Sequence, residues 1–537
     1  MNNKLFCFGI IAFYVVGCFG SFSTMKKVSF FCSTQTNDTF FNSQWHVEKV
    51  GLNKAWDIYT GSNNISVGVI DSGICGYHPD LSNNINSSIS MHFNDGHCTL
   101  NPLEDGENHG SHVAGIIGAE GNNNLGVAGA CWDIDLVSLS VAVYSSGLFY
   151  VPGIVSAINY ASNPNTYIPV LNASLGMPEM KFLDYNYDYL DFAGSFADAM
   201  DDYDGLLVCA AGNSTNYYNC NCGQNIGNLN YLIYPASCSV SNMIVVGNSD
   251  ANDDMAITSN YGSTKVHLFA PGENIYSTSA IEQDNPTYYK YESGTSMASP
   301  LVAGTAALLK SIDPSLTSAQ IKSAILDNVD VISGLSGLCT TGGRLNAYQA
   351  ALSILPSIVA NDTGVTFNSN INYQRFLKMN LVSGHYTLSI NNSVPCRVTI
   401  YQRYIDTPFI QQSFTTSGTQ TISFLSETNQ MVYIRVENLG NNNGDISISA
   451  IFQNHSYNNS YAYQNPLFHR AYCNCGDYVL LPHIVYRENE WATYGTCAIC
   501  SSIVPIGGGI ILSRDNPDIN NSSSIFDLLD EPVIQCF

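Results

Sequence analysis

Between residues 43 and 355 the chain alternates short, unbroken apolar runs with longer stretches of helical period. Val67–Ile70, Leu136–Leu139, Val170–Ala173, Leu206–Ala210 and Met243–Val246 lack the every-other-residue polarity of a half-buried strand, so the pattern predicts strands covered on both faces. Helical spacing predicts helices over Pro152–Ala161, Thr295–Lys310 and Ser318–Asn328, the last opened by a capping box from Thr317 to Gln320. Strand and helix in turn predict an α/β fold with a doubly wound, mainly parallel sheet. After Pro356 the pattern changes to short, alternating, β-branched segments separated by Asn/Gly turns. Tyr386–Ile390, Arg397–Tyr401, Thr421–Phe424 and Met431–Val436 predict a small antiparallel β-sandwich over 360–453. A Cys-rich tail, 465–537, follows. Residues 21–42 are polar and predict a linker.

Composition narrows the setting. The 537 residues carry 43 Asp and Glu against 19 Lys and Arg, a formal charge of -24. Such a surface repels nucleic acid and anionic membrane, and neither is expected as a partner; it attracts cations, calcium included. A basic start, Met1–Lys4, precedes an apolar run, Leu5–Val16, that is shorter than the roughly 20 residues a spanning helix needs. It predicts a secretory signal over 1–20 and a monomer that is secreted or attached to the cell surface. Val15-Val16-Gly17-Cys18 resembles a bacterial lipobox, with Cys18 the lipid anchor; simple cleavage near Gly20 is the alternative. Export permits disulfides among the 17 cysteines, and Cys220-Asn221-Cys222 is the expected local one.

Three separated motifs carry the chemistry. Gly294-Thr295-Ser296-Met297-Ala298-Ser299-Pro300 delivers a serine to the start of an apolar, Ala-rich helix, where free N–H groups favour an anion beside the hydroxyl. Pro300 is expected in the first turn. Val67–Ile70 runs into Asp71-Ser72-Gly73, an acid at the carboxyl end of a buried strand. Asn108-His109-Gly110-Ser111-His112 puts a histidine where a helix begins. His112, three positions on, is expected to be packed or hydrogen-bonded and not a metal ligand.

The order Asp71, His109, Ser296 and the three motifs resemble the subtilisin-like serine peptidases (subtilases, peptidase family S8) over about three-fifths of the chain. That resemblance implies a serine endopeptidase in which His109 is the base, Asp71 its orienting acid and Ser296 the nucleophile. It also implies that Asn213, in Ala210-Ala211-Gly212-Asn213, donates to the oxyanion. Polypeptide substrate would pair with Ser174, Leu175 and Gly176 as an added strand, with Ala210, Ala211 and Gly212 as the opposite wall. Ile233, ahead of Tyr234-Pro235-Ala236, would narrow the primary pocket toward an apolar residue of modest size. A structural calcium would be held by Asp80 and Asn123 with the carbonyls of Gly121, Leu125 and Val127, and Gln44 as a further ligand. The family usually has a folding prodomain, for which 21–42 is too short. Two other readings stay open: a catalytically silent binding or adhesion protein of the same fold, and an ester or amide hydrolase acting on small molecules. In the tail, Cys473, Cys475, Cys497 and Cys500 have spacing that suits a structural zinc, with His469 or His483 as substitutes, and suits two disulfides equally.

Overall fold

The computed structural model describes residues 36–93, 101–143, 148–149, 151–178, 192–214, 222–228, 232–280, 288–369, 374–402, 408–426 and 428–453, and strand segments between 457 and 512. Among these, nine strands form the central sheet: β1 Gly61–Asp71, β2 Met91–His92, β3 Asp133–Ser140, β4 Val170–Ala173, β5 Leu206–Ala210, β6 Met243–Ser249, β7 Leu268–Pro271, β8 Asp330–Val331 and β9 Gly343–Arg344. Their order across the sheet is β8-β9-β7-β6-β5-β4-β1-β3-β2, and every pairing is parallel except β8 with β9.

The unbroken apolar runs have a direct cause. Along β1, Val67 and Val69 join one core and Ile70 the other; along β5, Leu206 and Val208 face one side, Leu207 and Cys209 the other. Both faces are dry, so every position is apolar. Four long helices cover the sheet: α1 His109–Gly118, α2 Val151–Ser162, α3 Phe192–Asp201 and α4 Thr295–Ile312. The cores divide accordingly, with α1 and α4 residues in the first and α2 and α3 residues in the second. Helix α5 Ser318–Leu326 opens with the capping box, Thr317 and Gln320 bonding reciprocally.

Register sets the site. Asp71 lies beside Ser140, Ile70 beside Ala173, and Ala173 beside Cys209, so β1, β4 and β5 end together on one edge of the sheet. Ligands of open parallel sheets bind at that carboxyl edge.

Two findings revise the expected layout. The stretch read as a linker contributes its last residues to the domain: Asp38 is buried and accepts the N–H groups of Asn122 and Asn123, and the Phe40 N–H donates to the Gly126 carbonyl. Pro300 sits inside α4 and beyond its first turn.

Beyond Pro356, two four-stranded antiparallel sheets face each other. They run Val365–Ser369, Gly444–Gln453, Gly384–Asn392, Gly418–Ser426 and Gln374–Leu381, Gln430–Asn438, Cys396–Gln402, Pro408–Phe414. Leu377, Met379, Leu388, Ile390, Ile434 and Ile448 fill the space between them. Phe376, Tyr401 and Tyr433 point the other way, into the first core of the α/β domain, and Gln374 Nε2 donates to the Asp57 carbonyl at 3.1 Å. A further six-stranded sheet spans 457–512. In its register Cys473 pairs with Tyr457 and Cys497 with Val485; Cys475 and Cys500 lie outside the described residues, as do the leader, Cys18 and Cys220. Among the described residues no helix is long and apolar enough to cross a membrane.

Candidate active site

Strand β1 buries its terminal carboxylate completely: Asp71 is 0% exposed. Asp71 Oδ1 accepts from His109 Nδ1 at 2.8 Å and from the Ser72 N–H at 2.8 Å, while Oδ2 is buried with no partner among the described residues. His109 opens α1, and its side chain keeps 27% exposure. Burial disfavours the imidazolium, but the carboxylates of Asp71, Glu292 and Asp105 outweigh it and raise the pKa to about 9. The sign follows: a charged His109 stabilises the fold fully below the ordinary value near 6.5, and that contribution fades as pH climbs toward 9. His112, on the same helix, goes the opposite way. Burial lowers it to about 3, and its Nε2 faces the carbonyls of Ile275 and Lys290 at 3.1 Å each. It is a packed, neutral histidine.

Ser296 is the second residue of α4, and Gly294 just before it has φ 149°. That backbone conformation calls for glycine, and a Cβ at Gly294 would lie 3.1 Å from Asn213 Nδ2, a tight contact. Asn213 Oδ1 accepts from the Thr295 N–H at 3.0 Å and the Thr295 hydroxyl at 3.2 Å. That fixes the amide plane and leaves Nδ2 as a donor with no partner among the described contacts. The Ser296 hydroxyl donates to the Ser174 carbonyl at 3.1 Å, and among the described residues no hydrogen bond joins it to His109.

The position of Pro300 has a purpose here. Lacking an N–H, it releases the carbonyl one turn back, that of Ser296. The Ser174 hydroxyl donates to that carbonyl at 2.8 Å, and is itself held by Asn172 Nδ2 at 2.9 Å, while Asn172 Oδ1 accepts from Ser299 at 2.7 Å. The sequence signalled the backbone of this segment; the Asn172 and Ser174 side chains were missed.

Gly176 is exposed, and Met177–Pro178 pairs with Ile233–Tyr234. Ile233 Cγ2 comes within 3.0 Å of where a Cβ on Gly176 would sit and 3.1 Å of one on Gly212. Ile233 therefore lies between the two walls expected for substrate.

Asp80 is buried. Its oxygens accept from Asn123 Nδ2 at 2.8 Å, the Val127 N–H at 2.9 Å and the Tyr289 hydroxyl at 3.3 Å, and burial lifts its pKa to about 6. Gln44 Oε1 accepts from the Ala128 N–H at 2.9 Å, and Asn123 Oδ1 from the Leu125 N–H at 2.7 Å. Each amide oxygen and Asp80 Oδ1 thus accepts one hydrogen bond and keeps a lone pair. Asn123 turns its amide nitrogen toward Asp80, so a hard cation such as calcium, which takes oxygen ligands, would need that amide to rotate. Among the described residues no group of three His, Cys, Asp or Glu side chains is gathered to hold a metal. Cys222 is disulfide-bonded, whereas Cys75, Cys131, Cys209, Cys238, Cys339 and Cys396 are free.

Comparison with known proteins points to one family. The Subtilase family model matches residues 62–353. The thermophilic serine proteinase of Bacillus sp. (strain AK1) is 35% identical over 316 residues, 58% of this chain and 68% of that protein. Thermitase of Thermoactinomyces vulgaris is 34% identical over 316 residues, 58% of this chain and 98% of that protein. Subtilisin E of Bacillus subtilis (strain 168) is 35% identical over 268 residues, 49% of this chain and 60% of that protein.

Proposed function

Because the chain belongs to the subtilase family and is a serine-type endopeptidase, we propose that Asp71, His109 and Ser296 are its catalytic triad and Asn213 its oxyanion donor. The observation that carries this reading is the 2.8 Å bond from His109 Nδ1 to a fully buried Asp71. With Nδ1 engaged, the imidazole presents Nε2 as the base. Substrate entry frees the Ser296 hydroxyl from the Ser174 carbonyl, and its proton passes to Nε2 as Oγ attacks the scissile carbonyl. Asn213 Nδ2 and the Ser296 N–H stabilise the oxyanion. The imidazolium then protonates the leaving amine, and water hydrolyses the acyl-enzyme by the same steps in reverse.

The substrate is extended polypeptide, paired in backbone with Ser174 to Gly176 against Ala210 to Gly212. Ile233 shortens the pocket, which favours an apolar residue of modest size before the scissile bond. Asp80, Asn123 and Gln44 would hold calcium, which orders the loop and takes no part in the chemistry. The leader-like residues 1–20 support export, and the disulfide at Cys222 supports an oxidising compartment.

A fluorophosphonate probe tests the central claim. The folded wild type is expected to label and the Ser296→Ala variant to stay unlabelled, its hydrolysis of casein down on the order of 10⁶-fold. Equal behaviour of the two in folded protein would remove the catalytic reading and leave the binding protein.

A further inference from the structure

The helix that carries His109 begins without a cap of its own. Asn108 stands at the N-cap with φ 62° and makes no capping bond. The first-turn N–H groups still need acceptors. They find them in two other places: the Gly110 N–H donates to Ser72 Oγ at 2.9 Å, and the Ser111 N–H donates to Asp105 Oδ2 at 2.7 Å. Ser72 and Asp105 are themselves joined, the hydroxyl donating to Asp105 Oδ1 at 2.7 Å.

Ser72 follows Asp71 directly, so Asp105 ties the loop of one catalytic residue to the helix turn of the other. The fit is close. A Cβ on Gly110 would lie 2.0 Å from the Gly73 carbonyl oxygen, and one on Gly73 2.2 Å from that of Glu104. Backbone bonds from Ile74 to Pro102 and from Gly76 to Leu103 clamp the two loops together. There is a second effect. Ser72 Oγ also lies 3.2 Å from Asp71 Oδ1 and has one hydrogen to give. Asp105, the nearer acceptor, draws that hydrogen away and leaves Asp71 Oδ1 to His109 and the Ser72 backbone N–H.

We propose that Asp105 is a positioning residue of the endopeptidase: its buried carboxylate caps the His109 helix from outside and keeps the Ser72 hydroxyl off Asp71. The proposal rests on the triad assignment above. Asp105 also adds negative charge near the imidazole. The charged groups around His109 are Asp71 on β1, Asp105 in the preceding loop, Glu292 on the ribbon strand Tyr289–Glu292 with its partner Lys290, and His112 on its own helix.

The test is kinetics on active-site-titrated Asp105→Asn and Ser72→Ala. Activity requires neutral His109, so kcat/KM rises with pH through its pKa, and the wild-type acid limb is expected above pH 6.5. Asp105→Asn is expected to lower kcat about 10- to 100-fold with KM little changed, and to move the acid limb to lower pH. Ser72→Ala, which leaves the Asp105 charge, is expected to lower kcat with the limb in place. Wild-type kcat and an unmoved limb in folded Asp105→Asn overturn the proposal, as does a loss confined to melting temperature. Should Asp105→Asn not fold, unchanged kcat in Ser72→Ala overturns it alone. A wild type that fails to label with fluorophosphonate sinks the triad reading; a labelled wild type beside an indifferent Asp105→Asn sinks only this one.

Discussion

The two ends of the helix Thr295–Ile312 are built on different principles. At the first end, polar groups meet through directed hydrogen bonds: Thr295 with Asn213, Ser174 with the Ser296 carbonyl, Ser299 with Asn172. At the other, Ile312 packs beside Ile58, Tyr59, Leu355 and Phe376, where the sandwich joins the α/β domain. Apolar contacts are many, weak and undirected, so each is partly replaceable. A directed hydrogen bond has a single acceptor and a single angle. The difference separates what holds the molecule together from what lets it react, and mutations at the two ends are expected to fall on different measurements.

The largest expected effect is on stability at the junction. Phe376→Ala empties a site that is 2% exposed and is expected to cost about 3–5 kcal/mol in denaturant unfolding, while kcat of the folded protein stays as it was. An unaltered unfolding midpoint would mean that the sandwich is docked without contributing. Next, Asn213→Ala is expected to lower kcat about 10²- to 10³-fold with KM and melting temperature nearly constant. A change in KM alone would move Asn213 from the oxyanion to ground-state binding. The smallest effect concerns the Asp80 loop. Chelation by EDTA is expected to lower the melting temperature by a few degrees without changing kcat of molecules still folded, in the range ~1 kcal/mol produces. An unchanged melting curve would show that the hydrogen bonds of Asp80, Asn123 and Gln44 suffice.

Much of this was legible in the residues. Strands β4 and β5 begin and end where the apolar runs do, because burial on both faces imposes a continuous composition. The edge strands of the central sheet and sandwich strands such as Pro408–Phe414 and the inner Gly444–Gln453 escaped, since one face in solvent weakens the pattern, although the edge strand Gly418–Ser426 was signalled by Thr421–Phe424. Asp71, His109, Asn213 and Ser296 stood out because local backbone must present each, and local backbone writes motifs. Asp105 and Ser72 did not. Their bond spans 33 positions and depends on how two loops meet, which no spacing records. Pro300 was placed a turn too early for a related reason: its missing donor is met by Ser174, 122 residues from the carbonyl it frees.

That last pairing runs in both directions, for the Ser296 hydroxyl is bonded to the Ser174 carbonyl in return. Two serines therefore hold each other, the hydroxyl of each bonded to the backbone carbonyl of the other. With the proposed triad and substrate strand, a peptide N–H that claims the Ser174 oxygen would dislodge the hydroxyl in the same movement. On that reading, the part that cuts would be released by the part that grips.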